Sequence, residues 1–494
     1  MRGFRFLLGN IFWLGAVRIF TKVTTLLTLP IVTYYLSPKD FGILAMFAVI
    51  QTFLSGIFSM GLSSYAGRVI YRYERYDRQK CREHLGALLI FLVAFSFVGS
   101  SVSLLFIDPL SSFFISDLVV PKRIYLYIPV FMAFIMSVYG FVSDNILNLQ
   151  INKKIFYIEL LQFILFMPIQ LVGLCFWGFD VWDIIILQSI VQFIITLSGL
   201  WSIREWLVFS VRNLSILREA LRYSLPMVPL NFLSWIQDRI DKVYLNSIIS
   251  LNAVGLYSAG VNIANQYSFL SRPVMTTIKP EISKRLDSGD EGVQGDIKDA
   301  FLIFFQISLF LYLLMSLFSK EIVQLLMNER FHECYRIVPI FLLGIIIAEV
   351  TGIFQLKFVY KNQTVWFPIT LFCSALLNVA LNYFLIPFLD IYGAALSKTL
   401  TEMGLFVLTY IIAQRLHKTE YELMTNVWPL LIVIAITYIS DNLTVPPLNL
   451  FIFKVVAACI YGFSLDFFLL RVSKRYGEVR KMFMGFVSLN LKRL

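Results

Sequence analysis

The chain reads as an all-α polytopic membrane protein, with about 14 transmembrane helices in two pseudo-symmetric lobes around a central cavity and both termini cytoplasmic. Three observations predict this. Apolar stretches long enough to cross a bilayer follow one another from Leu7 to Leu470, and only short connectors separate them. The 494 residues are 58% hydrophobic and only 15% charged, with a mean hydropathy of +0.76, whereas a soluble chain carries about 25% charged residues. The layout of stretches leaves no room for a sizeable water-soluble domain, and the basic residues sort by alternate connectors.

The expected spans are 8–35, 41–64, 85–107, 124–147, 157–178, 182–203, 223–247, 253–278, 299–319, 337–356, 364–387, 391–414, 425–440 and 448–470. The first could be mistaken for a signal peptide, because Arg2 and Arg5 precede an apolar run. The run resumes after Arg18 and Lys22 and has no small-residue cleavage site, so it reads as a retained span. With this count, one set of connectors holds 29 of the 42 Lys and Arg residues and the other holds 6. The asymmetry places the first set inside. It also accounts for the net charge of +11 at the inner membrane face, so nucleic acid is not needed to explain it.

Domain organisation follows from the connectors. The stretch 204–222 divides an N-terminal lobe, 1–203, from a C-terminal lobe, 223–414. Two added helices occupy 415–470, and a basic cytoplasmic tail occupies 471–494. Two outer turns echo one another: Ser37-Pro38-Lys39-Asp40-Phe41-Gly42 and Ser250-Leu251-Asn252-Ala253-Val254-Gly255 share Ser and Gly at one separation. Their equivalent places in the two halves favour a repeat with a site between the lobes, as in many transporters. Pro226 and Pro229, together at the start of the seventh span, are candidates for a functional bend. Five scattered cysteines suggest no disulfide framework. Three histidines in three connectors assemble no metal site.

Charges inside the spans are the candidate functional residues, because a charge at the bilayer centre costs about 2.5–3.5 kcal/mol on insertion scales. Arg18 and Lys22 share one face of the first span, and that span has no acid. They either pair with acids on other helices or line a water-filled cavity that attracts an anion. Arg272, beside Pro273, stands with them, and Arg239 is a further candidate. Asp238 and Lys242, one turn apart, are expected to pair within a self-neutralising cluster that includes Asp241. Lys398 and Glu402 have the same spacing. Asp144 and Glu349 are lone acids that could be counter-ions or coupling-ion sites. No phosphate-cradling Gly-rich loop and no Ser-His-Asp constellation are present.

The segment Tyr35-Leu36-Ser37-Pro38-Lys39-Asp40-Phe41-Gly42 resembles the "L-S-P-x-D-F-G" turn of polysaccharide repeat-unit flippases. Asp241-Lys242-Val243-Tyr244-Leu245, followed by Ala253-Val254-Gly255-Leu256-Tyr257, resembles their "D-[RK]…A-V-G-x-Y" pattern. These proteins belong to the multidrug/oligosaccharidyl-lipid/polysaccharide exporter superfamily. The chain departs from the pattern at Leu326-Met327-Asn328-Glu329-Arg330-Phe331, where the family's "L-F-G-x-x-[YF]" glycine is missing.

The resemblance implies movement of an undecaprenyl-diphosphate-linked oligosaccharide, such as an O-antigen repeat unit, to the outer leaflet of the bacterial inner membrane by alternating access. It implies a diphosphate held by Arg18 and Lys22 with Arg272 or Arg239, no cofactor, and a sodium or proton gradient as a candidate energy source. It also implies a monomer working among membrane lipids and other polysaccharide-assembly proteins. Alternatives are a peptidoglycan-precursor flippase, a drug or ion antiporter of the same superfamily, and a membrane polysaccharide polymerase. The last would have to find its acid-base groups among Asp108, Asp117, Glu321, Glu329 and His332 in short outer connectors.

Overall fold

The structure is a computed structural model and describes residues 27–74, 76–115, 123–208, 214–269, 271, 293–416, 418, 423–443 and 446–472. The described residues are helical almost throughout, with no strand among them. The helices are α1 (Pro38–Ser59), α2 (Leu62–Tyr73), α3 (Arg78–Leu105), α4 (Ile107–Phe114), α5 (Ile128–Asn148), α6 (Asn152–Val172), α7 (Val181–Ile203), α8 (Leu214–Ser224) and α9 (Val228–Ile248). They continue with α10 (Leu251–Ala264), α11 (Val293–Leu317), α12 (Ser319–Leu326), α13 (Ile337–Phe354), α14 (Leu356–Tyr360), α15 (Trp366–Leu416), α16 (Leu423–Asn442) and α17 (Pro447–Val472).

Among the described residues, eight helical segments are long and apolar enough to cross a membrane, or nine if the pair bent by 59° at Phe318 is one span. Part of the difference between this count and the sequence expectation has physical reasons within the described residues. Helix α9 carries Asp238, Arg239, Asp241 and Lys242, which lower its apolar content. Helix α15, 51 residues long, merges two expected spans across a break at Asp390, whose φ of 52° is left-handed.

Local chemistry accounts for the helix starts. Ser37 caps α1: its hydroxyl accepts the Asp40 amide at 3.3 Å, and the Asp40 carboxylate accepts the Ser37 amide at 3.0 Å. This is a reciprocal capping box with Pro38 at the first helical position, where its missing N–H is harmless. Asp180 and Asp183 do the same for α7. Pro226 lies in a single 3₁₀ turn and Pro229 in the first turn of α9. The two prolines thus stand at the 3₁₀ break between α8 and α9, at the start of the expected span.

The chain groups into two compact units. The first contains the described residues up to Ala259 with Leu325–Glu333 and Ala375–Ser397; the second contains Gly260–Gln324, Cys334–Ser374 and the described residues from Lys398 onward. In the first, α1 packs on α5 and α9, and α5 packs on α3 and α7. Its core includes Leu62, Tyr65, Leu88, Phe141, Val142 and Ile195, all at most 2% exposed. Ser96 and Ser137 share a 3.0 Å hydrogen bond inside it. In the second, α11 packs on α13, α16 and α17. Phe354 there meets Phe406 and Tyr410 edge-on, with centroids 5.5 Å away.

Within the first unit the two echoing turns meet. Ser250 caps α10 by accepting the Ala253 amide at 3.2 Å, as Ser37 caps α1. A Cβ at Gly42 would overlap the Leu251 carbonyl oxygen, and a Cβ at Gly255 would overlap the Pro38 carbonyl oxygen. Residues 38 and 251 hold the same place in the two turns, one after the capping Ser, so the contact is reciprocal. Each glycine is needed so that the other turn's backbone can approach. The departing segment Leu326–Phe331 joins them: Phe331 is fully buried and meets Phe41 edge-on at 5.7 Å, while Asn328 caps the turn through Arg330.

Candidate functional site

Helix α9 concentrates the site. Asn231, Trp235, Asp238 and Lys242 recur at spacings of four, three and four residues, so they share one helix face. Asp241 points away from that face. Its carboxylate accepts the buried Tyr257 hydroxyl of α10 and, at 2.8 Å, the backbone amide of Lys242. Both residues are buried, with Tyr257 fully so. The Asp and Tyr of the "D-[RK]…A-V-G-x-Y" pattern are thus a clasp that closes the α9–α10 hairpin through the Asp241–Tyr257 hydrogen bond, while Gly255 serves the contact with the α1 turn.

Lys242 is 9% exposed. Between described residues the ion pairs are Arg123–Asp108, Lys398–Glu402 and Lys454–Glu321. Asp238 and Lys242 do not form one, although their spacing would allow it. Asp241 is committed to Tyr257 by its hydrogen bond, and Lys242 has the like charge of Arg239 and the opposite charge of Asp241 beside it. A buried ammonium that forms no ion pair among the described residues favours the arrival of an anion, because a charge in a poorly solvated site is costly.

The remaining candidates separate into kinds. Lys398 and Glu402 form a buried pair at 3.1 Å on α15, the structural arrangement their spacing suggests. Glu349 on α13 accepts the Ser271 hydroxyl at 2.7 Å. Asp144 on α5 meets the Ser63 hydroxyl of α2. Arg18, Lys22 and Arg272 lie outside the described residues.

Sequence reasoning missed two polar contacts within the helical bundles. Tyr139 donates to Glu159 at 3.0 Å between α5 and α6. Lys454 of α17, 2% exposed, meets Glu321 of α12 at 2.6 Å. The available signal was a Lys in an apolar span and a Glu in a connector, a pairing that requires knowing which helices are neighbours.

Comparison with known proteins adds to this geometry. The family model described as "Polysaccharide biosynthesis protein" matches residues 7–285, and that described as "Lipid II flippase MurJ" matches residues 184–449. The chain belongs to the flippase family of the multidrug/oligosaccharidyl-lipid/polysaccharide exporter superfamily. A solved lipid II flippase MurJ in an inward closed conformation is 14% identical, with a TM-score of 0.72 over 92% of this chain and 98% of that one. An inward-facing multidrug resistance transporter of the superfamily is 16% identical, with a TM-score of 0.63 over 82% and 99%. An outward-facing one is 13% identical, with a TM-score of 0.55 over 83% and 96%. At these identities the likeness is one of fold. None of the curated proteins matches the sequence. The family and the long apolar helices make this flippase a multi-pass membrane protein.

Proposed function

We propose that this flippase carries a polyprenyl-diphosphate-linked saccharide, an O-antigen or related surface-polysaccharide repeat unit, from the inner to the outer leaflet of the bacterial inner membrane. The carrying observation is Lys242: a buried cation on the polar face of α9, beside Arg239, with no carboxylate in ion-pair range among the described residues. That sign of charge suits a diphosphate, whereas an exporter of cationic drugs calls for acids. Arg18, Lys22 and Arg272 belong to the same proposed anion path, with Asp144 and Glu349 as candidate coupling sites. Both termini face the cytoplasm in this reading, and no reaction is catalysed.

A second reading has a specific support: the lipid II flippase model matches more than half of the chain, and a peptidoglycan precursor also carries a diphosphate. One experiment separates the two. The leaflet location of lipid-linked glycans is measured in cells with and without the gene. Accumulation of a polyprenyl-diphosphate oligosaccharide on the cytoplasmic side of the deletion strain is expected, and its extracted glycan identifies the substrate. Repeat units that reach the outer face but stay unpolymerised would overturn the flippase reading in favour of a polymerase.

A further inference from the structure

A cleft opens between α1 and α9 in the first unit. It is a shallow cleft open to its surroundings, and its walls include Thr52, Phe53, Gly56, Asn231, Phe232 and Trp235. The aromatic wall is ordered. The Trp235 indole donates to the Val49 carbonyl at 3.3 Å, Phe232 stacks beside it with planes 13° apart, and Phe53 meets it edge-on at 5.0 Å. Phe232 is 45% exposed. A Cβ added at Gly56 would meet nothing within 4 Å, so the missing side chain is what leaves this end open. Asn231 is exposed at the rim.

Two features separate this cleft from an ordinary lipid-facing patch. An exposed amide turned into hydrocarbon would lose its hydrogen bonds to water, so the rim is wet. Asn231 and Trp235 also begin the face that continues to Asp238 and Lys242, and Lys242 lies about 16 Å further along at 1.5 Å per residue. The cleft is thus the uncharged end of the polar face whose other end holds the cation.

We propose that this cleft is a saccharide-ring subsite, in which the apolar C–H face of a sugar stacks on Phe232 and Trp235 while the Asn231 amide and the Thr52 hydroxyl oxygen meet its hydroxyl groups. Flat aromatic faces beside polar edge groups match the two-sided chemistry of a pyranose, whereas a polyprenyl chain has no use for the amide. The inference rests on the proposed function, because only a saccharide-bearing lipid would bring a sugar to this position while its diphosphate reaches Lys242.

The test uses the purified full chain and two defined probes, undecaprenyl diphosphate bare and undecaprenyl diphosphate bearing one N-acetylhexosamine. Binding is compared for the wild type, Phe232→Ala and Gly56→Leu. The last variant fills the cleft from an open position and improves helix propensity, so it is expected to fold. The wild type should prefer the sugar-bearing lipid by about tenfold, the scale of one aromatic contact. Both variants should lose that preference while binding the bare lipid as before. Equal binding of both lipids by the wild type, or a preference that survives in the variants, overturns the subsite and leaves the flippase reading standing. Binding of neither lipid overturns both.

Discussion

Lys242 and Asp241 are neighbours in sequence with opposite tasks, and the difference lies in what each touches. Asp241 is committed to Tyr257 and to a backbone amide, so its work is structural. Removing one partner of a buried hydrogen bond leaves the other unsatisfied, at about 1–3 kcal/mol. Tyr257→Phe should therefore melt earlier in detergent while the protein that remains folded still transports. Lys242 should behave in the reverse manner. Replacing a buried ammonium that forms no ion pair among the described residues with the similar-sized Met removes a desolvation cost, so Lys242→Met should melt at the same temperature or higher, yet flip glycolipid at least about tenfold more slowly. A Lys242→Met protein that transports normally would remove Lys242 from the anion path. The charges themselves were legible in the sequence. Their roles were not, because a spacing of four residues permits the Asp238–Lys242 pair without requiring it, and the competing Tyr257 partner lies on the next helix.

At the scale of elements, the two capped turns were legible as an echo, and their capping residues explain why. Ser37 and Ser250 each begin a helix with a side-chain oxygen, a signal confined to a few residues. That the two turns touch was not legible, because contact between residues 213 positions apart leaves no local mark. The contact makes a prediction particular to reciprocity. Gly42→Ala drives a methyl group into the Leu251 carbonyl, and Gly255→Ala drives one into the Pro38 carbonyl. Either change alone should separate the turns and sharply reduce both membrane abundance and flipping. The double variant should cost clearly less than the two single losses combined, because the first methyl group has already opened the space that the second needs. Additive losses in quantitative membrane blots would show that the two glycines act separately.

For the whole molecule, hydropathy and charge asymmetry made the membrane class legible, since a bilayer imposes the same length and polarity on every span. Which faces line the transport path was not legible. A cavity-lining face and a lipid-contacting face differ only in what packs opposite, as α9 shows by carrying its charges on two sides. The same whole-molecule view carries a prediction about energy. If the moving unit includes a diphosphate, each negative charge that crosses outward is helped by an inside-negative potential by about 2.3 kcal/mol per 100 mV. Bound cations such as Lys242 stay with the protein, so they do not cancel the net charge delivered unless they themselves move through the field. Dissipating the potential with an ionophore at constant pH and sodium should then slow the appearance of glycolipid in the outer leaflet of vesicles holding this flippase. The slowing should grow with the size of the potential removed. A rate indifferent to the potential would mean that the transported unit is electrically neutral, with a counter-ion travelling alongside the diphosphate. Asp144 and Glu349 would then become the first positions to test for that ion.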